Sequence, residues 1–397
     1  MRVSKKYLAP AILVVAGLAL AGCAPTTEQA DTGGDKAAVK VSIITSTTGP
    51  LAGYGNEYLQ GLKAGFDYAT DGTGMVDGRA LDITYIDDAG DADKAVSAAK
   101  EAIGNGTQII AGTVSSGIAL AVAEQAAQNK ILYISGPAAA DAITGVNEYT
   151  FRSGRQTMQD VATAGTFVGD LTGKKIVVFA QDTAFGQGNV AGVTAVLGAK
   201  GAEVVGELVP EDATEFTPFA QKLRDSNPDM VFAAWAGATT GAMWQALTQQ
   251  GIFDLFPVVT GLGDIASYGA YGEASENISF LNHYFSGAAG TDIEKQMISF
   301  LDANGEKADL FTPDGFVAAQ MIVHAIKDGG GDDVAKMIAS LEGYSFDSVK
   351  GKVTVRAGDH ALIQPMFQAK LVASGDTYVP ELIKVIDADT VEPPAAK

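Results

Sequence analysis

From Val39 onward, short apolar runs alternate with amphipathic stretches, and the alternation starts again near Lys174. The first series is VKVSIIT (Val39–Thr45), LDITYID (Leu81–Asp87), QIIAG (Gln108–Gly112) and ILYIS (Ile131–Ser135). Helical patterns fall between them at about Tyr54–Thr70, Ala92–Ile103 and Ile118–Gln128. The second series is KKIVVFA (Lys174–Ala180), AEVVGELV (Ala202–Val209), DMVFAAW (Asp229–Trp235) and FPVVTG (Phe256–Gly261). Its helices are expected near Gly188–Leu197, Phe216–Arg224 and Thr240–Gln250. Strands that are apolar on both faces and alternate with helices predict parallel sheets covered on both sides. Two series with a break near Tyr149–Gln156 predict an α/β protein of two doubly wound parallel-sheet lobes, and 397 residues suffice for both. The remaining pieces are ISFLNHYF (Ile278–Phe285), helices near Glu294–Leu301, Asp314–Lys327 and Asp333–Leu341, and the β-like KVTV and PMFQAKLV. They are too few for a third domain, so they read as elements returning to each lobe, and the chain crosses between lobes three times.

Charge and motif content narrow the function. The net charge of −20 repels phosphate backbones and anionic head groups, which argues against nucleic acid as a partner. No G-x-x-x-x-G-K-[ST], H-E-x-x-H or Cys–His set occurs, so no metal and no cofactor are expected. The acid cluster DDAGDAD (Asp87–Asp93) lacks the spacing of a calcium loop, and Asp91 and Asp93 read as residues that cap and complement a helix N-terminus.

The amino terminus carries a separate signal. MRVSKK is basic, YLAPAILVVAGLAL is apolar, and the run is shorter than the roughly 20 residues a spanning helix needs. It ends in L-A-G-C (Leu20–Cys23), and Cys23 is the one cysteine of the chain. This resembles a bacterial lipoprotein signal, with a signal peptide over 1–22 and a lipid on Cys23 that anchors an exported protein to the outer face of the cell membrane or its periplasmic side. The small polar residues of 23–38 then read as a flexible tether. Without a second cysteine the body relies on its core rather than on disulfides.

In open α/β sheets, ligands bind where strands end and helices begin. One such exit, T-V-S-S-G (Thr113–Gly117), is nearly the G-x-S-x-G elbow of hydrolases, with Thr113 in place of the first glycine. A nucleophilic Ser115 needs a base, and the chain offers only His283, His324 and His360, none in a motif that places it near the serines. Ser115 and Ser116 are also good helix caps. Nucleophile, cap and anion holder therefore stand as three readings of one turn.

Several exits taken together resemble a family. T-T-G-P-L-A-G-Y-G (Thr47–Gly55), D-D-A-G-D-A-D-K-A (Asp87–Ala95), G-T-V-S-S-G, I-S-G-P-A-A-A-D (Ile134–Asp141), F-R-S-G-R-Q (Phe151–Gln156) and D-T-A-F-G-Q-G (Asp182–Gly188) follow in order. With the lipoprotein signal, they resemble the extracytoplasmic solute-binding proteins of ABC transporters, of the branched-chain amino acid (Leu/Ile/Val)-binding type. The resemblance runs from about Val39 to Ile386. It implies a periplasmic-binding-protein-like type I fold, a Venus flytrap whose lobes would comprise 39–153 plus 286–347 and 154–285 plus 348–390. The crossovers would lie near Phe151–Gln156, His283–Ser286 and Ser345–Lys352. It implies a monomer that captures a small carboxylate-bearing solute and delivers it to permease and ATPase subunits; a secreted hydrolase using Ser115 and a sensing ectodomain of the same fold are the alternatives.

The same resemblance assigns Ser115 and Ser116 to the ligand carboxylate and the Gly136–Ala139 exit, with Ala138 and Ala139, to its amine and carboxylate. It places Tyr54 over the ligand from the first lobe, and Phe185, Trp235 and Asp264 around it from the second. Three departures stand out. Ala139 and Phe185 lack the hydroxyls the family carries there, the amine-binding glutamate is replaced at best by Asp264, and Arg155 stands where a neutral residue is common. These departures suggest a pocket that favours a carboxylate without an α-amino group.

Overall fold

The computed structural model describes residues 37–396; the expected signal peptide, Cys23 and all but the last two residues of the tether lie outside them. In the first lobe, β1 (Val39–Thr45), α1 (Ala52–Ala69), β2 (Met75–Val76), β3 (Arg79–Asp87), α2 (Ala92–Gly104), β4 (Ile109–Gly112), α3 (Ser116–Asn129), β5 (Leu132–Ser135) and β6 (Thr150–Arg152) follow one another. They form a sheet of order β2-β3-β1-β4-β5-β6, parallel except for β2. Strand alternation sends Val41 and Ile43 of β1 into one apolar cluster and Ile44 into another on the opposite face.

The chain then enters the second lobe. Its elements are α4 (Thr157–Ala164), β7 (Lys175–Gln181), α5 (Ala184–Val196), β8 (Glu203–Val209), α6 (Thr217–Asp225), β9 (Met230–Ala234), α7 (Thr240–Gln249), α8 (Ile252–Leu255), β10 (Val258–Gly261), α9 (Tyr268–Tyr271) and β11 (Ile278–Asn282). Val177 and Phe179 of β7 pack on one face of the sheet, Ile176, Val178 and Ala180 on the other. Trp244 of α7 is 1% exposed, in the core of the second lobe.

After β11 the chain returns with α10 (Asp292–Ala303), α11 (Thr312–Gly329) and α12 (Val334–Leu341), then β12 (Ser345–Ser348), β13 (Gly351–Val355) and β14 (Leu362–Ile363). Here the expected boundary is corrected. The expected second lobe takes in everything from 348 to 390, yet Val353, Val355 and Leu362 join Phe346 in the apolar cluster of β1, α1 and α11. The third crossing is therefore at 364–365, after the small β12-β13-β14 sheet. The strands β15 (Met366–Ser374) and β16 (Thr377–Ile386) complete the second sheet, of order β16-β15-β11-β10-β9-β7-β8, as an antiparallel edge. The tail beyond β16 turns back to the first lobe, where Arg356 Nη1 donates to Pro393 O at 2.7 Å and Ala396 N–H to Asp359 at 2.8 Å.

Helices α1 and α11 pack backbone to backbone. A methyl at Gly61 would run into the Thr312 carbonyl oxygen, and one at Gly315 into the Tyr58 carbonyl. This close approach lets Val317, Met321 and Ile322 of α11 reach the same core as Tyr58 and Leu62. Gly315→Ala is expected to lower unfolding free energy by about 3 kcal/mol, read as a drop in the urea midpoint; an unchanged midpoint would mean that the helices do not depend on this contact.

Candidate functional site

The carboxyl ends of the parallel strands of both lobes face one another across a cavity of about 270 Å³. Residues beyond β1, β4 and β5 line it from the first lobe, and residues at the ends of β7, β9, β10 and β11 from the second.

The turn before α3 forms one wall. Ser115 is the N-cap, with extended backbone angles of −70° and 129°, but its side chain makes no capping bond. The first intrahelical bond is Ala119 N–H to Ser115 O at 2.9 Å, so the N–H groups of Ser116, Gly117 and Ile118 have no partner within the helix. Ser116 is buried, and its hydroxyl accepts from Ala140 N–H at 3.1 Å, which pins the α3 turn to the loop after β5. Unshared backbone donors, a hydroxyl and the positive helix end make an anion-holding turn.

No histidine serves Ser115 as a base. His283 lines the same cavity, but among the described residues its Nε2 has no hydrogen-bond partner. Burial, with the charges of Arg155 and Lys350 nearby, pushes its pKa well below the ordinary imidazole range. His324 stacks on Tyr344 at 3.5 Å, with Nδ1 2.8 Å from Asp328. His360 stacks on Phe151 at 3.7 Å.

Of the residues expected in the site, Tyr54, Ser115, Ser116, Ala139, Arg155, Phe185 and Trp235 line the cavity. Tyr54 meets Phe311 edge-on at 4.8 Å, and Trp235 stacks on Phe179 at 5.6 Å while its Nε1–H donates to Thr239 at 3.0 Å. Arg155 is held by Asp160, 3.2 Å from Nε, and by the Pro137 carbonyl, 2.9 Å from Nη1. Two expected residues fall elsewhere. Ala138 is 1% exposed, and its carbonyl accepts from Arg152 at 2.5 Å. Asp264 caps a short turn by accepting from Ser267 N–H at 3.1 Å and lines a neighbouring recess at the cleft mouth. The turn holds its carboxylate beside Gly53 of α1, at the mouth rather than in the cavity.

Sequence reasoning missed Gln181, Phe311 and Asp160 as wall residues, and it placed His283 only on a crossover. Gln181 ends β7 and accepts from Ala236 N–H through Oε1 at 3.1 Å. A glutamine at a strand end carries no pattern of its own; its place after the apolar run KIVVFA is the one available signal.

The lobes also touch at the mouth. Ala238 N–H donates to Pro50 O at 3.0 Å, and Ile265 N–H donates to the Asp309 carboxylate at 3.0 Å. Gly237 has φ +83°, and a side chain there would meet Pro50 O at 2.7 Å, so glycine permits the approach. Asp309 is pushed up to about 6 by burial, with the charge of Asp264 adding to it. Burial likewise raises Glu57 and Asp264.

A family model described as periplasmic binding protein matches residues 38–376. The chain is 24% identical over 321 residues to the Leu/Ile/Val-binding protein BraC3 of Rhizobium johnstonii, covering 80% of this chain and 87% of that protein. It is 31% identical to an ABC-type branched-chain amino acid transporter protein from Rhodopseudomonas palustris CGA009, with a TM-score of 0.75, covering 90% of this chain and 99% of the other. A solute-binding protein of an ABC transporter from Rhodopseudomonas palustris HaA2, solved with p-hydroxybenzoic acid, shares the fold at a TM-score of 0.81 and 22% identity, covering 89% of this chain and 98% of that one.

Because the folded form holds the Asp309 proton more tightly than the unfolded chain does, stability is expected to fall as pH rises from roughly 4 to 6 and to level off above. Asp309→Asn is expected to reduce that fall, measured as melting temperature against pH. An unaltered profile in the variant would remove Asp309 from this dependence.

Proposed function

The chain belongs to the periplasmic binding protein family, and from that premise we propose that it is the solute receptor of an ABC importer. The observation that carries the reading is the α3 turn, whose hydroxyl and backbone donors face a cavity walled by both lobes. A carboxylate is common to the solutes named for the relatives, amino acids in one case and p-hydroxybenzoic acid in the other. Here it would sit at Ser115–Gly117.

Solute contacts drawn from both lobes exist together only when the cleft is shut, so binding shifts the population toward the closed form. The permease would read that form, and the ATPase subunits would drive release into the cell. A micromolar dissociation constant needs about −8 kcal/mol, within reach of a few charge-assisted hydrogen bonds and aromatic burial by Tyr54, Phe185 and Trp235. We place the protein outside the cytoplasm, held by a lipid on Cys23, and no helix of the described residues is long and apolar enough to cross a membrane. Cys23→Ser is expected to move the protein from the membrane to the soluble fraction of fractionated cells; an unchanged membrane fraction would argue against the anchor.

The binding step is tested by calorimetric titration with leucine and with 4-hydroxybenzoate. At least one is expected to bind, and Ser115→Ala to weaken it by about tenfold, the loss of one charge-assisted hydrogen bond. Binding of neither acid, or affinity indifferent to Ser115, would contradict the reading.

A further inference from the structure

The loop after β5 faces the α3 turn, and in the resembling family this exit helps hold the ligand amine. In this chain the carbonyls of residues 137–140 are already engaged. Pro137 O accepts from Arg155 Nη1 at 2.9 Å, and Ala138 O from Arg152 Nη2 at 2.5 Å. Ala139 O accepts from the N–H and the hydroxyl of Thr157, at 2.8 and 3.1 Å. Ala140 O accepts from Arg152 Nη1 at 3.0 Å and Ile143 N–H at 3.2 Å. A carbonyl has two lone pairs. Of these residues Pro137 and Ala139 line the cavity; an ammonium at Pro137 O would share it with a guanidinium of its own charge, and at Ala139 O it would find both lone pairs taken.

The acids offer little more. Asp264 lies outside the cavity. Asp160 binds Arg155 through one oxygen, and the other is shut away from any surface, as are Asn282 Oδ1 and His283 Nε2. Glu211 also lines the cavity but stands exposed in the loop after β8, where water and salt screen its charge. Donors, by contrast, remain. Gln181 spends its oxygen on Ala236 N–H, which fixes its amide as a donor, and no described residue accepts from its Nε2. Arg155 uses Nε and Nη1 within the protein.

We propose that the solute is a carboxylate without an α-ammonium, that its second polar group is a hydrogen-bond acceptor, and that Gln181 receives that acceptor from the second lobe. The proposal rests on the solute-receptor reading and adds the class of solute. With the carboxylate on the first lobe and the acceptor on the second, such a molecule bridges the cleft, whereas an amino acid brings a cation to a wall of engaged carbonyls.

The test compares leucine with its oxo acid, 4-methyl-2-oxopentanoate, and with 4-acetylbenzoate, by calorimetric titration of the wild type and of Gln181→Glu. The variant keeps an oxygen for Ala236 N–H and replaces the donor with an acceptor; its melting temperature checks the fold. One of the oxo-bearing acids is expected to bind at least tenfold more tightly than leucine, and the variant to cut that preference at least tenfold. Gln181→Met, similar in length and lacking the donor, should cut it likewise. Leucine binding as tightly as the better acid overturns the proposal and leaves the receptor reading intact. A preference unchanged in both variants overturns the role of Gln181, and with it the proposal. If none of the three compounds binds, the proposal falls, and the receptor reading stands or falls on the titration with 4-hydroxybenzoate.

Discussion

The guanidinium of Arg152 holds the site in shape. It is buried at the end of β6, where the chain leaves the first lobe, and it donates to the carbonyls of Ala138, Ala140 and Arg155. Burial pulls its pKa down to about 10, with Asp141 the largest opposing charge. At neutral pH it remains charged, and a charged donor left without acceptors in this place would be costly. The loop after β5 must therefore keep the carbonyls of Ala138 and Ala140 turned toward Arg152. That requirement holds in place the loop whose Pro137 and Ala139 line the cavity.

Other buried charges surround the crossings between the lobes. Asp160 and Arg155 pair on the second-lobe side. Asp314 from α11 is raised to about 6 and Lys350 from the β12-β13 turn is lowered to about 8, in both cases chiefly by burial. Such groups are weak sources of stability, since desolvation offsets much of their attraction. Under the proposed closure mechanism, groups placed at the crossings would meet water when the cleft opens and lose it when the cleft shuts, so solute contacts would bias the balance between the two forms.

Most of the fold was legible because the parallel strands β1, β4, β5, β7, β9 and β10 are buried at nearly every position and leave continuous apolar runs, and the more exposed runs at β3 and β8 also form strands. The third crossing was misplaced because β13 and β15 look alike as sequences. Only contact with the α1 and α11 core assigns Val353 and Val355 to the first lobe. In the site, serines and aromatics at strand exits could be found from position alone. Asp264 could not, since the turn it caps keeps its carboxylate at the mouth. Gln181 was invisible because its meaning comes from Ala236, which lies 55 residues away in sequence. The engaged carbonyls of 137–140 were likewise beyond reach, being a property of backbone direction rather than of side-chain type.

On this account the cleft takes a carboxylate at the α3 N-terminus, and a crystal structure of the protein with a bound acid tests that most directly. The account predicts carboxylate oxygens within hydrogen-bond distance of Ser115 Oγ and of the N–H groups of Ser116 or Gly117, with both lobes touching the ligand. A ligand whose carboxylate lies away from this turn, or that touches one lobe alone, would contradict it.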